Sequence, residues 1–147
     1  MARLAYVTSD KAVAAFLARA NFTLLKFVDN GGSQAFAAGD GGRVVVAFRG
    51  TEASDPTDLG FDVDAELSPC PQGGQAHRGF MRALELVWPT LEPVIPANAR
   101  VLMTGHSLGA AVATLAATRR PGAQLVTCGS PRVGDAQFVA HAMANVP

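Results

Sequence analysis

Gly105-His106-Ser107-Leu108-Gly109 is the stretch best equipped for chemistry, a G-x-S-x-G pattern between an apolar run, Val101 to Thr104, and an alanine-rich helical pattern from about Leu108. A strand running straight into a helix forces a tight turn with strained dihedrals. Side chains next to the turn must then be minimal, and the serine hydroxyl is lifted clear of the sheet as a nucleophile. Gly105 and Gly109 meet that steric demand, and Ala110, Ala111 and Ala113 let the new helix pack closely. The competing reading is a glycine-rich turn carrying an incidental serine.

A nucleophilic serine needs donors for the oxyanion of a tetrahedral intermediate. The backbone N–H of Leu108 is one candidate, because a helix N-terminus offers an unpaired amide and the positive end of the dipole. The second is expected from the loop after a neighbouring strand. The run Arg43 to Phe48 leads into Arg49-Gly50-Thr51, where Gly50 permits close approach and Thr51 offers its N–H and hydroxyl. Thr51 could equally be a turn residue that caps the next segment. The serine also needs an imidazole base and a carboxylate to orient it. After Ser107 the only carboxylate is Asp135 and the only histidine is His141. On one continuous helix, six residues set them about 120° apart around the axis and about 9 Å apart along it, so they would not meet. His106 is expected to pack beside the elbow and His77 to be structural.

The elements that must hold these groups are legible in outline. Ser9 reads as an N-cap, followed by Val13, Phe16, Leu17 and Ala20 at helical spacing, which gives a helix over about 10–20. Gln34–Ala38 and Arg43–Phe48 read as strands joined by a glycine hairpin, the second buried on both faces. Residues 51–75 form a long polar surface segment rich in Pro and Gly. A helix follows His77, with Phe80, Ala83, Leu84 and Val87 on one face, and Pro89 is expected to end or kink it. Arg100–Thr104 is a strand, Leu108–Arg119 a helix, Gln124–Cys128 a strand and Asp135–Ala144 a helix. Strands alternating with helices predict an α/β fold with a mostly parallel sheet and flanking helices.

The 147 residues, 49% of them hydrophobic, suit one domain spanning 1–147. Twelve basic residues balance twelve acidic ones, which removes the electrostatic footprint of a nucleic-acid binder. Apolar runs are too short for a membrane span, and the N-terminus lacks the layout of a signal peptide, so the chain as written is expected in the cytoplasm, with secretion of a longer parent left open. Cys70 and Cys128 cannot build a disulfide framework. Cysteines and histidines do not cluster at ligand spacing and no phosphate loop occurs, so neither metal nor organic cofactor is expected. Half of the acidic residues, Glu52, Asp55, Asp58, Asp62, Asp64 and Glu66, fall in one segment whose spacing fits no EF-hand. It reads as a solvated acidic surface.

Four blocks taken together carry a resemblance: Ala47-Phe48-Arg49-Gly50-Thr51-Glu52, His77-Arg78-Gly79-Phe80, Thr104 to Gly109, and Gly129-Ser130-Pro131-Arg132-Val133-Gly134-Asp135. In this order they resemble the class 3 lipases, the fungal-lipase-like branch of the α/β-hydrolases. Leu59 departs from the pattern, standing where the family usually has tryptophan. The resemblance implies carboxyl-ester hydrolysis through an acyl-enzyme, on an ester or lipid substrate of the acylglycerol type. Ser107 would be the nucleophile, with Thr51 and Leu108 in the oxyanion positions, and with transient contact at a lipid interface. It also implies that Asp135 caps a helix, while the triad acid lies one strand later and the histidine later still. The chain is therefore expected to be the N-terminal portion of a longer lipase, with Gln124–Cys128 as an open sheet edge. The alternative is a non-catalytic lipid- or ester-binding protein, or an inactive fragment lacking the triad acid and base. Neither reading sets an oligomeric state.

Overall fold

A computed structural model describes residues 1–50 and 66–147. A short 3-10 helix (Ala2–Tyr6) precedes α1 (Asp10–Ala18), followed by β1 (Thr23–Asn30), β2 (Ser33–Gly39) and β3 (Arg43–Phe48). After residue 65 come β4 (Leu67–Pro69), β5 (Gln75–His77), α2 (Arg78–Leu91), β6 (Arg100–His106), α3 (Leu108–Arg119), β7 (Gln124–Cys128) and α4 (Ala136–Asn145). The main sheet has the order β1-β2-β3-β6-β7, and β4 and β5 form a separate antiparallel pair. β2 is antiparallel to both neighbours, while β3, β6 and β7 are parallel. All strands of the main sheet except β2 therefore share one direction, and the fold is α/β-hydrolase-like, as expected.

Local chemistry explains these elements. The Ser9 hydroxyl accepts from the Ala12 N–H and starts α1, which buries Val13 and Leu17. Asp40 closes the β2–β3 hairpin by accepting from the N–H groups of Gly42 and Arg43 and from the Arg43 guanidinium at 2.7 Å. Those bonds, the Arg43 side chain first, hold its carboxyl down at about 2. Val44, Val45 and Val46 are buried, as a strand covered on both faces requires. One core packs Val46, Phe48 and Met103 against α2 and α3. The other packs Phe36, Ala38 and Ala47 beneath Ala5, Val13 and Leu17 of the two N-terminal helices.

Several expectations need revision. β1 is an additional strand: only Val28 in it is buried, and a register shift between Leu24 and Lys26 breaks the two-residue alternation that would have marked it. α2 does not end at Pro89 but continues to Leu91. Proline removes a single donor there, while Val87, Trp88 and Leu91 are buried around it and hold the last turn in place. β6 runs two residues beyond Thr104, to His106, and part of the expected surface segment forms β4 and β5. Thr51, Glu52, Asp55, Asp58, Leu59, Asp62 and Asp64 lie outside the described residues. Glu66 pairs with Arg78 at 2.5 Å. Cys70 is buried and Cys128 exposed, both as free thiols.

Candidate active site

β6 ends at His106 and α3 begins at Leu108, leaving Ser107 alone to make the turn. Its backbone sits at φ 56, ψ −127, in the left-handed region that L-residues with a side chain avoid. Three bonds fix it there. The Ser107 N–H donates to the Cys128 carbonyl on β7 at 3.0 Å, and its own carbonyl accepts from Ala110 at 2.9 Å and from Ala111 at 3.4 Å. The Ser107 hydroxyl caps no amide of α3, and the Leu108 amide opens the first turn, where backbone donors lack intrahelical partners.

The flanking glycines are demanded by contact as well as by conformation. A Cβ on Gly105 would strike the Gly109 carbonyl, and one on Gly109 would strike the Phe48 carbonyl. α3 thus starts directly against the end of β3. From that end, Gly50 reaches the elbow: a Cβ there would collide with the His106 carbonyl and the Tyr6 hydroxyl, and would lie 3.4 Å from the Ser107 Cβ. Thr51, the expected second oxyanion donor, follows Gly50 in sequence and lies outside the described residues. His106 is exposed, and its Nδ1 is 3.0 Å from the Tyr6 hydroxyl.

The other candidate acids and bases have different partners. The Asp135 carboxylate caps α4, accepting from the Phe138 N–H at 2.8 Å. That bond, followed by the Gln75 backbone, draws its pKa below the usual value, as suits a helix cap. His141, on α4, lies 3.4 Å from the Asn145 amide nitrogen through its Nδ1. His77 caps α2: its Nδ1 accepts from the Gly79 N–H at 3.0 Å and its ring stacks on Phe80 at 4.2 Å. Its Nε2 is buried without a hydrogen-bond partner among the described residues. Asp135, His141 and His77 are therefore not gathered around Ser107 by any described contact.

Among the described residues no three His, Cys, Asp or Glu side chains converge to hold a metal ion. A cavity of about 500 Å³ lined by Val44, Arg100, Leu102 and Gln124 lies at the amino ends of the parallel strands, the end opposite the elbow. Ligands of open α/β sheets sit beyond the carboxyl ends, where Ser107 and Gly50 meet. The groups the sequence did not reveal are Tyr6 and Gln34. Tyr6 lies 100 residues from its partner His106, and no local pattern marks a contact of that range.

The family model described as lipase (class 3) matches residues 45–147. The chain is 34% identical over 119 residues to the secreted mono- and diacylglycerol lipase 1 of Fusarium solani, covering 73% of this chain and 36% of that protein. It is 33% identical over 112 residues to a lipase of Rhizopus niveus, covering 65% and 28% respectively. The solved structure of lipase II from Rhizopus niveus superposes with a TM-score of 0.74 at 23% identity, covering 90% of this chain and 56% of the other. The chain thus spans about a third of the length of these curated relatives. Among the described residues no helix is long and apolar enough to cross a membrane.

Proposed function

The chain belongs to the class 3 lipase family, and on that premise we propose that it hydrolyses carboxylic esters through an acyl-enzyme on Ser107, with acylglycerol-type lipids as the substrate class. The observation that carries the reading is Ser107 itself, held at positive φ between a strand end and the first amide of α3. Its Oγ would attack the ester carbonyl carbon while its proton passes to a base. The tetrahedral oxyanion would be held by the Leu108 N–H and by Thr51, a role supported by the approach of Gly50 to Ser107. Collapse would expel the protonated alcohol, and water would then release the acid and restore Ser107. The Fusarium relative's description as a secreted mono- and diacylglycerol lipase supports acylglycerol substrates, contact with a lipid interface and an extracellular setting over the cytoplasmic one.

The described histidines supply no evident base, since Nδ1 of His77 and of His106 and the ring of His141 face other partners. Without a base, oxyanion stabilisation and binding alone leave about 10³ to 10⁴ of rate enhancement over water. The same observation favours a second reading, a non-catalytic ester- or lipid-binding protein. A fluorophosphonate probe and a short-chain p-nitrophenyl ester distinguish the two. Labelling and turnover that Ser107→Ala abolishes are the expected result. Labelling and turnover equal to those of Ser107→Ala would leave the binding protein as the surviving reading.

A further inference from the structure

We propose that the Tyr6 hydroxyl is a positioning group for the nucleophile elbow, holding His106 and the Gly50 backbone in place beside Ser107. The inference rests on the reading of Ser107 as nucleophile. The hydroxyl reaches His106 Nδ1 at 3.0 Å, one residue before Ser107. It also borders the space that a Cβ on Gly50 would need, which is bounded on another side by the His106 carbonyl. Tyr6 therefore bonds the residue before the serine and abuts Gly50, two residues past the end of β3 and beyond the last paired residues of the ladder, Phe48 and Gly105.

Tyr6 is itself held on both sides. The Gln34 side chain, only 3% exposed, donates to the Ala5 carbonyl at 2.6 Å and to the Val7 carbonyl at 2.8 Å. Gln34 Oε1 accepts from Arg49 at 3.2 Å, and the Arg49 N–H donates to the Gln34 carbonyl at 2.9 Å. These bonds close a circuit from the 3-10 helix through β2 to Arg49, on to Gly50 and the elbow, and back through His106 to Tyr6. A tyrosine needed only to fill space would not require its hydroxyl at the meeting point of that circuit. Gln34 is the buried member of this circuit and ties together the segments it bonds, while the Tyr6–His106 bond closes it at the exposed end. Tyr6 also precedes the family-matched segment 45–147, so this brace comes from outside it.

Tyr6→Phe keeps the ring and removes the hydroxyl. In the full chain, the rate constant for fluorophosphonate bonding at saturating probe is expected to fall about tenfold, since small displacements of reacting groups are costly. The half-saturating probe concentration and the thermal midpoint should be unchanged. In amide NMR spectra the resonances of Gly50, Ser107 and Leu108 should shift. A wild-type rate constant, or a loss confined to half-saturation, would overturn the proposal. Should wild type itself not label, the nucleophile reading fails and the amide shifts decide the brace alone: shifts confined to residues 2–7 would sink it. His106→Phe removes the same contact from the other side and carries the same expectations if Tyr6→Phe does not fold.

Discussion

Ser107 occupies φ 56 because nothing else lets β6 turn into α3 within one residue. A side chain held in such a sparsely populated region costs about 1–3 kcal/mol and persists only when its surroundings over-determine it. Here they do so through the bond to Cys128 and the close seat of Gly109 on the Phe48 carbonyl. Gly109→Ala should therefore lower stability by about 1–3 kcal/mol, as overpacking does, because the clash is with backbone. It should also slow labelling of Ser107. Denaturant unfolding and probe kinetics check this, and unaltered stability would mean that the end of β3 yields freely. The need for Gly105 and Gly109 was legible from their spacing around a serine, and that for Gly50 from its place after a strand. Tyr6 was not legible, since its role depends on folding a distant segment across the elbow.

At the scale of elements, the β2–β3 hairpin shows how one carboxylate sets a register. Asp40 binds two backbone amides and the Arg43 side chain, and its pKa falls from 3.8 to about 2. A carboxyl whose folded-state pKa is depressed adds stability that is present above its unfolded value, near about pH 4, and is lost as the pH falls through the folded one. Asp40→Asn should accordingly lower the thermal midpoint near neutrality, with the gap from wild type narrowing as the pH drops from about 4 towards 2. A gap independent of pH would show that the ionised carboxylate contributes nothing. α2 and β1 illustrate where local pattern fails. Packing of Val87, Trp88 and Leu91 carries α2 past Pro89, and β1 pairs with β2 despite a register shift that hides its period.

For the whole molecule, stability should be graded across the sheet. β2, β3 and β6 are paired on both sides, whereas β1 and β7 end the strand order of the described sheet, and Val126 on β7 is 58% exposed. Amides in β3 and β6 should exchange slowest with deuterium and those of β7 faster, because local opening follows burial and pairing. Mass-spectrometric exchange reading β7 as slower than β3 would contradict this gradient. Legible in the order of the residues were the α/β alternation, the strand-serine-helix turn and the Ser9 cap, and, from four spaced blocks, the family resemblance with the Asp135 cap it implies. The first three depend on neighbours a few residues apart, where steric limits, apolar period and capping chemistry act locally. That β1 joins the sheet, that α2 outlasts Pro89, and that Tyr6, Gln34, Arg49, Gly50 and His106 meet beside the elbow emerges only in the folded chain. Those outcomes depend on packing and hydrogen bonds between segments tens of residues apart, whose free energy exists only once the sheet has brought them together.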